Sequence, residues 1–167
     1  GIAAVRKSST TNLLPYSEDF SQWSTSQGTL TANYGISPDG TQNSTRYVFS
    51  GSNQKLSNNV TTSSSSTGSV YVKGIIGETI KFGVAGAESL FTLNGEWQRI
   101  QKQGTTTSNN IAINTYSSAT ARDIQIWGAQ LEDQTQAETY AKTTGLPVTI
   151  DLFTENNYGT MTNMSAS

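Results

Sequence analysis

The chain has 167 residues, a formal net charge of −2, no Cys, no His and only 13% charged residues. That composition excludes a Ser-His-Asp triad, a thiol nucleophile, a disulfide and a zinc site built on nitrogen or sulfur ligands. Ten basic residues set against twelve acidic ones, scattered along the chain, leave no electrostatic footprint for nucleic acid.

Polarity comes instead from neutral side chains. Ser, Thr, Asn and Gln make up more than two fifths of the residues, whereas Leu, Ile, Val and Phe reach only about 19%. With net charge near zero this is a β-prone globular composition, and the length suits one domain that buries roughly two thirds of its unfolded surface. No apolar run is long enough to span a bilayer, and residues 1–11 lack the apolar block of a signal peptide. Membrane insertion is not expected.

Period-two alternation dominates the chain, which predicts an all-β fold. Residues 1–11 are polar and slightly basic and read as a lead-in or linker. Residues 45–49 (TRYVF) form a first strand. In residues 69–73 (SVYVK), Val70 and Val72 alternate with Tyr71 and Lys73; residues 74–77 turn; and in residues 79–84 (TIKFGV), Ile80, Phe82 and Val84 share a face. These two strands are expected to form a hairpin. The polar run 61–67 (TTSSSST) reads as a loop.

Asn94-Gly95 marks a turn between residues 89–93 and 97–102, because both residues tolerate positive φ. Residues 110–116 (NIAINTY) place Ile111 and Ile113 opposite Asn110, Asn114 and Tyr116, and residues 123–132 (DIQIWGAQLE) form a long strand with a bulge at Gly128. The whole predicts an antiparallel two-sheet β-sandwich or jelly roll over residues 12–143 with extended ends. Residues 144–167 are expected to be a C-terminal linker or partner-packing segment, with a further strand-like piece at 148–153 (VTIDLF).

Catalytic signals are weak. Ser52 to Lys55 fits S-x-x-K without any companion motif, and the acids Glu18, Asp19, Asp123, Glu132 and Asp133 read as hydrated loop or strand carboxylates rather than a glycosidase pair. No enzymatic role is expected. Matches to the N-glycosylation acceptor at Asn43, Asn59 and Asn163 are what chance gives in so Asn- and Thr-rich a chain. No cofactor is expected; oxygen-rich loops leave a structural Ca²⁺ open without predicting one.

Three Trp and seven Tyr are the more useful clue. A glycan site needs flat faces to stack on sugar CH groups and planar polar groups to bond hydroxyls. Trp23, Trp97 and Trp127 lie within or beside apolar strands and read as core anchors. Alternation sets Tyr71 and Tyr116 opposite the aliphatic stripes, and with Lys73, Lys81 and Asn114 they are expected to line one sheet face as a glycan site.

The segments 12–23 (NLLPYSEDFSQW), 95–99 (GEWQR), 123–132 (DIQIWGAQLE) and 137–143 (AETYAKT) together resemble a β-sandwich domain of tailed-phage virion proteins, itself similar in layout to jelly-roll carbohydrate-binding modules. Residues 158–165 (YGTMTNMS) resemble the lead-in to concanavalin-like lectin domains downstream in comparable phage proteins. The resemblance implies a structural or adhesive domain of a virion appendage, such as a tail fibre, head fibre or decoration protein. Its implied place is the virion surface or the extracellular space, and its implied partners are other virion proteins, identical subunits in a homo-oligomer such as a trimer, and host-surface glycan. A carbohydrate-binding module of a larger secreted enzyme or adhesin is the alternative. The shared motifs identify architecture better than activity, because one fold hosts many functions.

Overall fold

A computed structural model describes residues 5–51, 54–63, 65–84, 86–104, 110–114 and 121–155. In chain order the strands are β1 (Val5–Asn12), β2 (Ser24–Ser26), β3 (Thr29–Thr31), β4 (Thr45–Phe49), β5 (Lys55–Asn59) and β6 (Thr67–Lys73). They continue with β7 (Thr79–Val84), β8 (Ala87–Thr92), β9 (Gln98–Gln103), β10 (Asn110–Asn114), β11 (Arg122–Glu132) and β12 (Val148–Glu155), and a 3-10 turn spans Phe20–Gln22. Two five-stranded antiparallel sheets, β3-β4-β11-β6-β9 and β2-β5-β10-β7-β8, make the sandwich.

Between the sheets lie the aliphatic stripes read from the alternation: Val70 and Val72, Ile80, Phe82 and Val84, Ile111 and Ile113, Ile124 and Ile126, all buried, with Tyr47, Phe49 and Leu56. Leu14 and Phe20 are buried with this core, and Trp23 is nearly so. Fully burying such side chains contributes about 1.5–3 kcal/mol each and is the main force holding the layers together. The two layers approach so closely that a Cβ at Gly68 would lie 2.2 Å from the Val84 methyl.

The expected hairpin of β6 and β7 does not form. Strand β6 pairs with β11 and β9, whereas β7 pairs with β10 and β8 in the other sheet. Both strands carry an apolar stripe, and the segment between them lets those stripes face each other across the core instead of lying side by side. The same holds at Asn94-Gly95: Gly95 has φ +87 as a tight turn requires, yet β8 and β9 belong to different sheets. Consecutive strands that do pair include β7 with β8 and, across the loop 32–44, β3 with β4.

The bulge expected at Gly128 is present, with φ +65 and a break in register between Trp127 and Gln130. It keeps Ala129 and Leu131 facing the core. The end segments pair with each other: β1 and β12 form a two-stranded antiparallel ribbon in register from Val5↔Glu155 to Asn12↔Val148.

Candidate functional site

Three of the four motifs behind the resemblance, 12–23, 123–132 and 137–143, meet at one junction beside the bulged strand. Asn12 is fully buried; its amide donates to the carbonyls of Ala129 (3.0 Å) and Ala141 (2.9 Å), and its Oδ1 accepts from the backbone N–H of Leu14 (3.2 Å) and Leu131 (3.1 Å). Gln130 accepts from Ala141 N–H (2.7 Å), Ser17 Oγ accepts from Thr143 N–H (2.8 Å), and Thr143 donates to Leu14 O (2.6 Å). Tyr140 stacks on Trp127 with centroids 4.8 Å apart. Apart from the Trp127 indole N–H, which is buried without a partner, the polar atoms named here are paired within the fold, which is the signature of a staple rather than a binding surface.

Among the described residues, four of the six exposed large apolar side chains, Tyr34, Ile36, Ile75 and Ile76, lie at or beside one groove on this sheet; Leu90 and Leu146 lie apart from it. The outward row of β4, β11 and β6 runs Arg46–Gln125–Lys73, since Gln125 is in register with both neighbours. Over one end of this row lies a groove of about 370 Å³ lined by Tyr34, Lys73, Ile75, Ile76, Asp123 and Gln125, with Gly74 and Gly95. Tyr34 is 45% exposed, Ile75 59% and Ile76 73%, and Ile36, two residues from Tyr34, is 57% exposed. Apolar surface collected in this way and rimmed by polar groups marks an interaction site.

Its walls are held rigidly. The loop 32–44 folds on itself through an Ile36↔Gln42 bridge, Tyr34 N–H to Ser44 O (2.9 Å) and Gly35 N–H to Ser44 Oγ (2.9 Å). Ser44 Oγ donates to Gln125 Oε1 (2.8 Å), which ties the loop to β11. Asp39 accepts from Ser37 Oγ and Thr41 N–H, and the Ser37 bond is the main cause holding its carboxyl at a pKa of about 2. Trp97 Nε1 donates to Ile36 O (3.0 Å) and links this loop to the turn that carries Gly95. The Arg46 guanidinium bonds Asp123 twice (2.9 and 2.7 Å), lowers its pKa, and lies 5.0 Å from the centre of the Tyr34 ring.

The residues expected to share one face are divided between both sheets. Tyr71 and Lys73 lie on β6, while Lys81 on β7 and Asn114 on β10 lie in register with each other in the opposite sheet. Tyr116 lies outside the described residues. The physical reason is the crossing after β6: alternation tells which side of a strand is outward, but not which sheet the strand joins. Lys73 lines the groove. Tyr71 meets Trp127 edge to face (5.4 Å) and carries the Arg99 guanidinium over its ring (5.6 Å). Lys81 pairs with Glu88 (2.8 Å).

The outer face of that second sheet carries a smaller cleft of about 230 Å³, lined among the described residues by Lys55, Gly83, Gly86, Glu88, Asn110 and Ala112. Tyr34 and the isoleucines were not singled out by the sequence reading. For Tyr34 and Ile36 the signal is an aromatic and an aliphatic side chain set among turn residues in TANYGISPDG, and for Ile75 and Ile76 an apolar pair inside the turn GIIG, where no strand could bury them. Among the Trp, Trp23 is buried in the core as expected; Trp127 is buried but packs against Tyr71 and Tyr140 outside the core cluster, and Trp97 stays partly exposed and outside it as well.

The acids considered for catalysis have structural partners. Asp19 caps the 3-10 turn, Asp123 holds Arg46, Glu132 is buried and accepts from Thr10 Oγ1 and Glu138 N–H, and Asp133 accepts from Ser63 N–H. Of the S-x-x-K match, Ser52 lies outside the described residues. Among the described residues no group of three or more acids gathers to hold a metal ion, and no helix is long and apolar enough to cross a membrane.

No protein-family model and no curated protein matches the chain. Among solved structures it is similar to TmCBM61 in complex with β-1,4-galactotriose, at 17% identity and a TM-score of 0.51, over 72% of this chain and 97% of that one. A Clostridium thermocellum xylanase 10B containing a CBM22-1 module matches at 16% identity and a TM-score of 0.48, over 74% of this chain and 28% of that one. BiXyn10A CBM1 matches at 15% and 0.44, over 71% of this chain and 96% of that one. At such identities the likeness concerns fold alone, and the fold is the β-sandwich seen in carbohydrate-binding modules.

Proposed function

We propose that this domain is a non-catalytic glycan-binding module whose site is the groove beneath Tyr34. The observation that carries the reading is the meeting of Tyr34, Ile75 and Ile76 with Lys73, Asp123 and Gln125 in one shallow, preorganised groove. Apolar walls take the CH face of a sugar ring, and the amide, carboxylate and ammonium bond its hydroxyls. The bidentate Arg46–Asp123 pair fixes the carboxylate before ligand arrives, which lowers the ordering cost of binding. β-Galactosyl oligosaccharides are suitable first probes because the structurally similar TmCBM61 is described with β-1,4-galactotriose.

A glycan array followed by titration calorimetry tests the reading. Binding by the unaltered chain that falls at least about tenfold in Tyr34→Ala supports it. Binding that survives both Tyr34→Ala and Lys73→Ala refutes it.

We further propose, from the resemblance of residues 12–143 to virion sandwich domains, that the module is displayed on a phage appendage beside identical subunits and other virion proteins, and meets host glycan there. The ribbon suits display, because Val5 and Glu155 lie side by side and the sandwich can project from whatever carries them. Gold-labelled antibody to the domain should decorate a fibre or the head surface of particles, and light scattering should report a trimer. Undecorated particles and a monomer would favour the alternative, a binding module of a secreted enzyme or adhesin.

A further inference from the structure

On the opposite side of the loop 32–44 lies a larger cavity, of about 470 Å³, within the range of roughly 300–1,000 Å³ typical of small-ligand sites. Its walls include Tyr16, Glu18, Asn33, Asn43, Lys142 and Thr144. The loop therefore serves both concavities: Tyr34 borders the groove and its neighbour Asn33 borders the cavity.

The Glu18 side chain is only 10% exposed, and its carboxylate is held by Tyr140 OH (2.8 Å), Lys142 Nζ (3.3 Å) and Asn43 Nδ2 (3.4 Å). Burial raises the Tyr140 phenol far above its ordinary range, so it remains a donor to Glu18 at any physiological pH. Lys142 and Asn43 both bond Oε1, while Tyr140 alone bonds Oε2, which keeps a free lone pair for a ligand. Asn43 Oδ1 is buried without any partner, a condition that costs about 1–3 kcal/mol in a fold that pairs nearly all such atoms. Tyr16 is fixed by a bridge to Thr144 and by Trp23 Nε1, which donates to its carbonyl (2.9 Å).

The cavity thus offers fixed acceptors, one ammonium donor and one aromatic wall. Acceptors of this kind call for hydroxyl donors. Lys142 offsets the charge of Glu18, and Asp19, also on the wall, leaves the lining net negative, which disfavours an anionic sugar. We propose that this cavity is a second saccharide site, taking a single neutral hexose whose adjacent hydroxyls donate to Glu18 and Asn43. With the groove across the loop it gives the module two points of attachment to branched or neighbouring chains. This site stands on its own residues and does not require that the groove bind sugar.

The test is an amide NMR titration of the full chain with methyl β-D-galactopyranoside and methyl β-D-glucopyranoside, with glucuronate and calcium chloride as controls. A neutral hexoside should shift the amides of Tyr16, Asn33 and Thr144, and those shifts should persist in Tyr34→Ala, which separates this site from the groove. Glu18→Gln should weaken the hexoside about tenfold. Because Glu18 also braces the loop, Asn33→Gly is the second variant: it keeps the left-handed backbone at φ +52 and should weaken binding several-fold with the spectrum otherwise intact. The proposal is overturned by absence of shifts at these amides, by shifts unaltered in both variants, or by stronger responses to glucuronate or calcium than to either hexoside.

Discussion

Two regions of the same sheet treat polar and apolar side chains in opposite ways. At the junction of Asn12, Ser17, Gln130 and Thr143, polar side chains are buried and bonded to backbone. At the groove, apolar side chains are exposed while Lys73, Asp123 and Gln125 face solvent-accessible space. Much of the resemblance to other domains is carried by the first region, and the binding chemistry proposed above belongs to the second. Shared sequence in such a domain therefore reports how the sandwich is fastened, while its ligand is set by loops that motifs do not describe.

The sharpest way to break this contrast is Asn12→Ala. Four hydrogen bonds vanish from a site with no solvent access, and the loss in urea denaturation should be about 4 kcal/mol; a loss below about 1 kcal/mol would mean that the junction does not fasten the fold. Next comes Tyr34→Ala, expected to leave stability within about 0.5 kcal/mol while removing about 1.4 kcal/mol or more of glycan binding, read by calorimetry. An equal fall in both would place Tyr34 with the scaffold. Comparing Lys73→Ala with Lys81→Ala sharpens the assignment of faces: the first should weaken binding a few-fold, and the second, already paired with Glu88 on the other sheet, should leave affinity unchanged.

The smallest effect is that of acid. Asp39, with a pKa of about 2, and Asp123, lowered by Arg46, are both below their ordinary values in the folded chain. Depressed pKa values mean that the groove is fully braced above the unfolded carboxylate range near pH 4 and loses that bracing as pH falls toward about 2. Trp97 fluorescence, reporting on the loop it bonds, should change in that window before the core unfolds. No change above the unfolding transition would show that these carboxylates do not set the groove's shape.

Much of the sandwich was legible because alternation states plainly which side chains are inward: Val70, Val72, Ile80, Phe82, Ile111, Ile113, Ile124 and Ile126 are all buried. The Gly128 bulge was legible too, from a glycine interrupting a strong alternation. Pairing was not. A turn that joins two strands within a sheet and one that carries the chain across the core can have the same residues, and 74–77 is of the second kind. For the same reason Lys81 and Asn114 were grouped with Tyr71 and Lys73. Tyr34 stayed hidden because loops separated by tens of residues meet only once the sheets have stacked.

The ribbon of β1 and β12 also fixes how the sandwich would respond to traction. Tension applied at Val5 and Glu155 loads the terminal pair of an antiparallel ladder, so the strands peel apart rung by rung under modest force. At Asn12↔Val148 the peeling meets the amide clamped to residues 129, 131 and 141, and several bonds must then yield together. A tether that lengthens under drag and stops at a knot would keep a surface-bound module attached through a jolt, with its groove still folded.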